Sequence, residues 1–173
     1  MLERVLERVS NAEFIDKIVL ATPHRLPIYC AVSNFIGSEN DVLDRYYKCA
    51  KKFKADIIVR LTADCPLISP ELIDYCILTL VFGNYDFVSS RVSYPDGFDV
   101  EVFTFKCLER TFDFAEKKEE REHVTPYMIG SPLFKKCFIK ALQKNNGKYS
   151  VDTLADLERV RKIYRKGQQD KIL

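Results

Sequence analysis

The chain has 173 residues, the length of one domain, and its 27 Lys plus Arg nearly balance its 25 Asp plus Glu, for a net charge of +2. That balance argues against a dedicated nucleic-acid grip or a polybasic membrane anchor. Apolar residues make up 47% of the chain, with 12 Phe and 9 Tyr, enough for a packed core, so intrinsic disorder is excluded.

Met1 to Ser10 places Leu2, Val5, Leu6 and Val9 at i, i+3, i+4 and i+7, the pattern of an amphipathic helix rather than of a secretory leader. Ile15 to Ala21 reads as a strand, Thr22 to Pro27 as a loop with two prolines, and Ile28 to Phe35 as a short helix. Ser38 is a helix cap with Asp41 three residues on, ahead of a helix over 40–53. Ala55 to Leu61 is almost continuously apolar, as buried parallel strands are. Ser69-Pro70 starts the next helix, which runs to about Val81. The longest apolar run, Leu72 to Phe82, carries Asp74 and is too short to span a bilayer.

Asp86 to Ser90 and Phe98 to Phe105 read as strands. Helices follow over 105–117 and 120–128, the second interrupted by Pro126. Phe134 to Ala141 is a strand, Lys144-Asn145-Asn146-Gly147 a turn, and Tyr149 to Asp152 a last strand. Thr153 caps a helix over 154–165, and the tail 167–173 is expected to fray. Strands alternating with helices imply one α/β domain over 1–173, a mostly parallel sheet flanked by helices.

In open α/β sheets ligands bind beyond the carboxyl ends of the strands, which directs attention to the residues that follow each strand. Asp64 follows the strand 55–61, and Asp152 ends the strand 149–152. Two carboxylates arriving from separate strands can share one hard cation such as Mg²⁺, although Asp152 serves equally well as a cap for the helix at Leu154. Asp99 and Glu101 fall on one face of a strand, a pair that suits a polyhydroxylated substrate or, alternatively, a solvent-facing edge. His123 is a candidate acid, base or hydrogen-bond donor, and Arg121 a candidate anion holder or ion-pair partner.

The six cysteines, Cys30, Cys49, Cys65, Cys76, Cys107 and Cys137, form no C-x-x-C pair, and the chain has 2 His, His24 and His123. That pattern lacks the paired ligands of a structural zinc site and fits buried thiols in a reducing, cytoplasmic compartment. A Cys65–His123 nucleophile pair is disfavoured, because the adjacent Asp64 raises a thiol pKa.

Five stretches in order resemble one family. They are Asp41-Val42-Leu43-Asp44-Arg45-Tyr46-Tyr47, the run 59–68 (Val-Arg-Leu-Thr-Ala-Asp-Cys-Pro-Leu-Ile), Tyr94-Pro95-Asp96-Gly97-Phe98 with Asp99-Val100-Glu101-Val102-Phe103, Arg121-Glu122-His123-Val124-Thr125-Pro126-Tyr127, and Ser150-Val151-Asp152-Thr153. Together they resemble the cytidylyltransferases of spore-coat polysaccharide biosynthesis, relatives of acylneuraminate and CMP-Kdo synthetases. The resemblance implies a Rossmann-like nucleotide-diphospho-sugar transferase fold and a Mg²⁺-dependent transfer from CTP to a sugar or sugar acid, with pyrophosphate released. It implies Asp64 and Asp152 as catalytic Mg²⁺ ligands. It places Asp96, Asp99, Glu101, Arg121 and His123 around the sugar, and Arg60 beside the phosphates or in support of the site.

The family's opening strand and its loop of the type Gln-Ala-Arg-x-x-Ser-x-Arg-Leu-Pro-Gly-Lys have no counterpart here, and Met1 matches the helix that follows them. The expectation is an N-terminally truncated sheet with two unpaired edges and impaired turnover, unless another segment or a partner chain, such as a second copy, fills the place or the reading frame extends upstream. The alternative function is a non-catalytic module on the same fold that binds a sugar or a partner protein.

Overall fold

The computed structural model describes residues 1–26, 32–142, 145–167 and 172. The elements in chain order are α1 (Leu2–Val9), β1 (Val19–Thr22), β2 (Ser33–Ile36), α2 (Val42–Phe53), β3 (Ile57–Arg60), α3 (Pro70–Gly83), β4 (Phe87–Ser89), β5 (Glu101–Thr104), α4 (Phe105–Phe114), α5 (Lys118–His123), α6 (Pro126–Gly130), β6 (Lys136–Phe138) and α7 (Leu154–Arg165).

Local chemistry sets most of the boundaries. Ser69 Oγ accepts from the Leu72 amide, with Pro70 at the first helical position of α3. Thr153 Oγ1 accepts from the Asp156 amide at the start of α7. α2 and α3 end on Lys54 and Asn84 in the left-handed conformation, a common helix stop.

The strands form two sheets. β1 and β2 pair in parallel, and β3-β5-β4-β6 form a four-stranded sheet in which β4 and β6 are parallel while β5 runs antiparallel to both β3 and β4. Alternation sends successive residues of the larger sheet to opposite faces. Val88, Val100 and Val102 join Ile73, Cys76 and Leu80 of α3, Val5 and Val9 of α1 and Val160 of α7. Phe87 and Phe103 join Leu43 of α2, Leu108 of α4, Val124 just after α5, and Met128 of α6. The larger sheet is thus covered by helices on both faces.

Several sequence expectations change. Residues 33–36 are a strand, not part of a helix, because they find a parallel partner in β1; the expected helical residues 28–31 lie outside the described residues. The cap of α2 is Asp41, whose carboxylate accepts from the Asp44 amide at 2.9 Å, while Ser38 Oγ accepts from the Asp41 amide one step earlier. β3 is neither fully buried nor parallel to its neighbour: Ile57 is 37% exposed, and its pairing is to the antiparallel β5. The expected strand 149–152 joins no sheet among the described residues; an isolated bridge, Asp96 to Lys148, lies just before it. Among the described residues, β1 and β3 each pair along one edge only. Most of the tail expected to fray lies outside the described residues.

Candidate active site

The candidate site lies on the rim where β3 and β4 end and β5 begins. Register places Arg60 of β3, Glu101 of β5 and Ser89 of β4 in one row across the sheet. Beyond that row, the chain after β3 turns through Asp64, and the chain after β4 makes the loop that carries Asp96 and Asp99.

The second of these loops is shaped by the buried Ser90. Its hydroxyl donates to the Phe98 carbonyl and accepts from the Val100 amide, both at 2.8 Å. Gly97 has φ of +96°, and a Cβ there would lie 2.5 Å from the Ser150 nitrogen and the Tyr149 carbonyl carbon. A side chain at Gly97 would therefore push the 149–150 backbone away. The Tyr149 amide donates to the Asp96 carbonyl at 2.7 Å, and the Val151 amide donates to the Asp64 carbonyl at 2.9 Å. These two bonds fasten residues 149–151 to both rim loops, which is why that segment makes no ladder of its own.

The fastening brings the acidic residues together. Ser150 Oγ lies 2.9 Å from Asp96 Oδ2 and 3.3 Å from Asp152 Oδ2. Burial raises the Asp99 carboxyl above the usual range; Arg91 opposes this, while Asp96, Glu101 and Asp64 add to it. Lys148 Nζ pairs with Asp152 at 2.6 Å and with Asp156 at 3.2 Å. Asp156, held by Arg159, Thr153, Lys148 and the Asp152 amide, sits well below the usual carboxylate range. Cys65, beside this cluster, has its thiol pushed up to about 12, by burial first and then by Asp64 and Asp99 against the hydrogen bond from Thr62. A thiol so raised is no nucleophile near neutral pH.

The other expected site residues take different places. Glu101 is 1% exposed, and its carboxylate is shared between Arg60 Nη1 at 2.7 Å and the Thr125 hydroxyl at 2.9 Å. The Arg60 Nε is buried with no hydrogen-bond partner among the described residues. Arg121 bonds Asp41 at 2.7 Å and the carbonyls of Phe112 and Ala115, and stacks over the Phe112 ring, so it holds α5 against the start of α2 and the end of α4. His123 is exposed at the end of α5. The next residue, Val124, is fully buried with φ of 71° and ψ of −54°, and the Thr125 amide donates to the His123 carbonyl at 2.8 Å. This is a γ-turn on a β-branched residue, a conformation that costs of order 1–3 kcal/mol.

Sequence reasoning did not single out Ser150, Lys148 or Thr125. Lys148 stands four residues before Asp152, a charge spacing that could have flagged it; Ser150 and Thr125 carry no such signal. A cavity of about 560 Å³ opens beside Asp96, lined also by Ser93, Tyr94, Asn145 and Lys148. Among the described residues, no group of three or more His, Cys, Asp or Glu is placed to hold a metal ion, and no helix is long and apolar enough to cross a membrane.

Comparison with known proteins agrees with this architecture. A protein of Methanocaldococcus jannaschii with no assigned activity is 38% identical over 170 residues, covering 91% of this chain and 70% of that protein. The spore coat polysaccharide biosynthesis protein SpsF of Bacillus subtilis is 29% identical over 183 residues, covering 96% of this chain and 76% of SpsF. A cytidylyltransferase structure from Leptospira borgpetersenii superposes with a TM-score of 0.81 at 25% identity, covering 97% of this chain and 84% of that one. The cytidylyltransferase family model matches residues 1–171, and a match over nearly the whole sequence places this chain in the cytidylyltransferase family.

Proposed function

We propose that this chain transfers a cytidylyl group from CTP to a hydroxyl of a sugar or sugar acid used in building a surface polysaccharide. The sugar oxygen attacks the α-phosphorus, the bond to the β-phosphate breaks, and pyrophosphate leaves. The observation that carries the reading is the joining of the Asp64 and Asp152 segments by the Val151 amide at 2.9 Å from the Asp64 carbonyl. That bond makes one acidic rim from two distant stretches of sequence.

The donor set fits Mg²⁺. Burial is the first cause of the raised Asp99 carboxyl, and the neighbouring Asp96, Glu101 and Asp64 add to it. Mg²⁺ commonly takes one or two carboxylates and fills the rest of its shell with phosphate oxygens and water, so a full protein cage is not needed. Asp64 and Asp152 would hold the ion, which when bound offsets charge on the phosphates. Arg60, with a free Nε, faces the phosphates. Asp96 and Asp99 take the sugar hydroxyls, with the 560 Å³ cavity beside Asp96 as the acceptor pocket, and His123 serves as a further donor to the substrate. Glu101 and Arg121 serve as frame: one is held in the Arg60 pair, the other in the Asp41 pair.

The test is calorimetric titration with CTP and Mg²⁺, repeated with Asp64→Asn. Saturable binding that weakens by about tenfold or more in the variant supports the reading, since removing one charged ligand from phosphate-bound metal is worth at least 1.4 kcal/mol. Equal binding by both proteins removes Asp64 from the site. No binding by the folded wild type, with sugar acids alone raising the melting temperature, turns the reading to a sugar-binding module.

A further inference from the structure

We propose that Thr125 is a positioning residue for His123, acting through the buried Glu101 carboxylate. Thr125 occupies the N-cap of α6, where a threonine hydroxyl ordinarily accepts from a backbone amide of the first helical turn. Here it makes no such cap bond. Its side chain is fully buried, and its hydroxyl donates to Glu101 Oε1 at 2.9 Å. Glu101 is in turn fixed by Arg60 at 2.7 Å and by its place in the sheet row between β3 and β4. The hydroxyl has left a local capping role for a contact reaching 24 residues back along the chain.

The turn that precedes it explains the need. Val124 sits at a positive φ of 71°, which a β-branched side chain resists, and the turn is closed by the Thr125 amide on the His123 carbonyl at 2.8 Å. Such a turn persists where its surroundings over-determine it. Two anchors do so here. The Val124 side chain is packed in the core with Leu108 and Met128, and Thr125 is tied to Glu101. The exposed end of the turn is His123. The Glu101 tie therefore fixes the backbone from which the imidazole extends. A lone packing role for Val124 would not require the hydroxyl at 125.

The proposal rests on the transfer reading only for what His123 serves, and its test is independent of turnover. The chain has 2 His, so the imidazole C2–H protons give two resonances. His24 lies after β1 beside Glu39 and serves as an internal control. Thr125→Val keeps the shape and removes the hydroxyl. It is expected to move or broaden the His123 resonance and leave that of His24 in place, and Thr125→Ser is expected to restore the wild-type position. Val124→Gly, which relaxes the same turn from the other side, is expected to move the same resonance and stands in where the valine variant does not fold. Pyrophosphate release from CTP should fall about tenfold in Thr125→Val, with the KM for CTP held within about twofold. A His123 resonance unchanged in both Thr125→Val and Val124→Gly overturns the proposal. A His123 resonance that moves in a protein whose wild type releases no pyrophosphate supports the positioning role and overturns the transfer reading instead.

Discussion

The two sheets of this molecule are made of similar residues and are buried very differently. In the four-stranded sheet Phe87, Val88, Val102 and Phe103 are each 0% exposed. In the two-stranded sheet all four residues of β1 are only half-buried, and β2 alternates half-buried with exposed, leaving Ile36 at 58%. Apolar composition alone therefore does not set burial; the number of flanking strands and helical layers does. The larger sheet has helices on both faces, and it carries Arg60 and Glu101 of the candidate site, with Asp64, Asp96 and Asp99 in the loops at its rim. A two-stranded ladder is marginal by itself. This one leans on α2, with the Lys52 ammonium over the Phe35 ring and Lys17 over Phe53.

The contrast can be broken most directly by cutting equivalent apolar side chains from each sheet. Phe103→Ala removes a fully buried ring that stacks with Phe87 and is expected to cost about 3–5 kcal/mol in urea unfolding. Leu20→Ala in β1 removes a half-buried side chain and should cost about 1 kcal/mol. Hydrogen exchange sharpens the same point: β1 and β2 amides should exchange through local opening, and β5 amides only near the global stability. Equal losses at the two positions would mean that the smaller sheet is as well supported as the larger.

The same division explains what could be read from the sequence. α3 and α7 were legible because Ser69-Pro70 and Thr153 act on amides within three residues. β2 was missed because its partner, β1, is the source of its order and its own pattern is half-exposed. The direction of β5 has no sequence signal, since alternation is the same for parallel and antiparallel strands. Asp99 and Glu101 were recognised as a same-face pair, but their different environments were not. One meets Arg60, which is 41 residues away and opposite it in the sheet, and the other faces the acidic rim. Ser38 was read as the cap of α2, yet the capping bond comes from Asp41, and Ser38 holds that residue's amide. The acidic rim itself was legible as separate strand-end carboxylates. Its assembly was not, because it depends on the close approach of residues 149–150 to Gly97.

Acid should separate the two regions next. Asp156 has a folded-state pKa below its ordinary value of 3.8, with Arg159 as the largest cause. A carboxylate so depressed contributes stability that is present above about pH 3.8 and is lost as the pH falls toward the folded value. Asp156→Asn is therefore expected to lower the melting temperature at pH 7, and the difference from wild type should hold down to about pH 4 and then shrink progressively as the pH falls further toward the folded value. The loss should appear in the amides of α7 and of 148–153, which Asp156 holds, before those of β1 and β2, which it does not touch. A gap between the two proteins that does not narrow at all between about pH 4 and pH 2 would show that Asp156 acts through packing rather than through its charge.

The smallest expected effect has the opposite sign and distinguishes a rim built for a ligand from a rim built for stability. Asp99 is half-buried among Asp96, Glu101 and Asp64, and its carboxyl is raised above 3.8. In the folded protein it holds a proton that the unfolded chain has already released, so stability falls as the pH rises through that window and the ionised form is carried as a penalty at pH 7. Asp99→Asn removes the charge and keeps the shape. It is expected to raise the melting temperature at pH 7 by about 2 °C, an advantage that disappears below pH 4, where the wild-type carboxyl is neutral in both states. The same variant should weaken the binding of CTP with Mg²⁺. Stability gained and affinity lost in one substitution would mark the charge as kept for a ligand. A variant less stable at pH 7 than the wild type would instead mean that Arg91 outweighs the burial of Asp99, and that this carboxylate belongs to the frame.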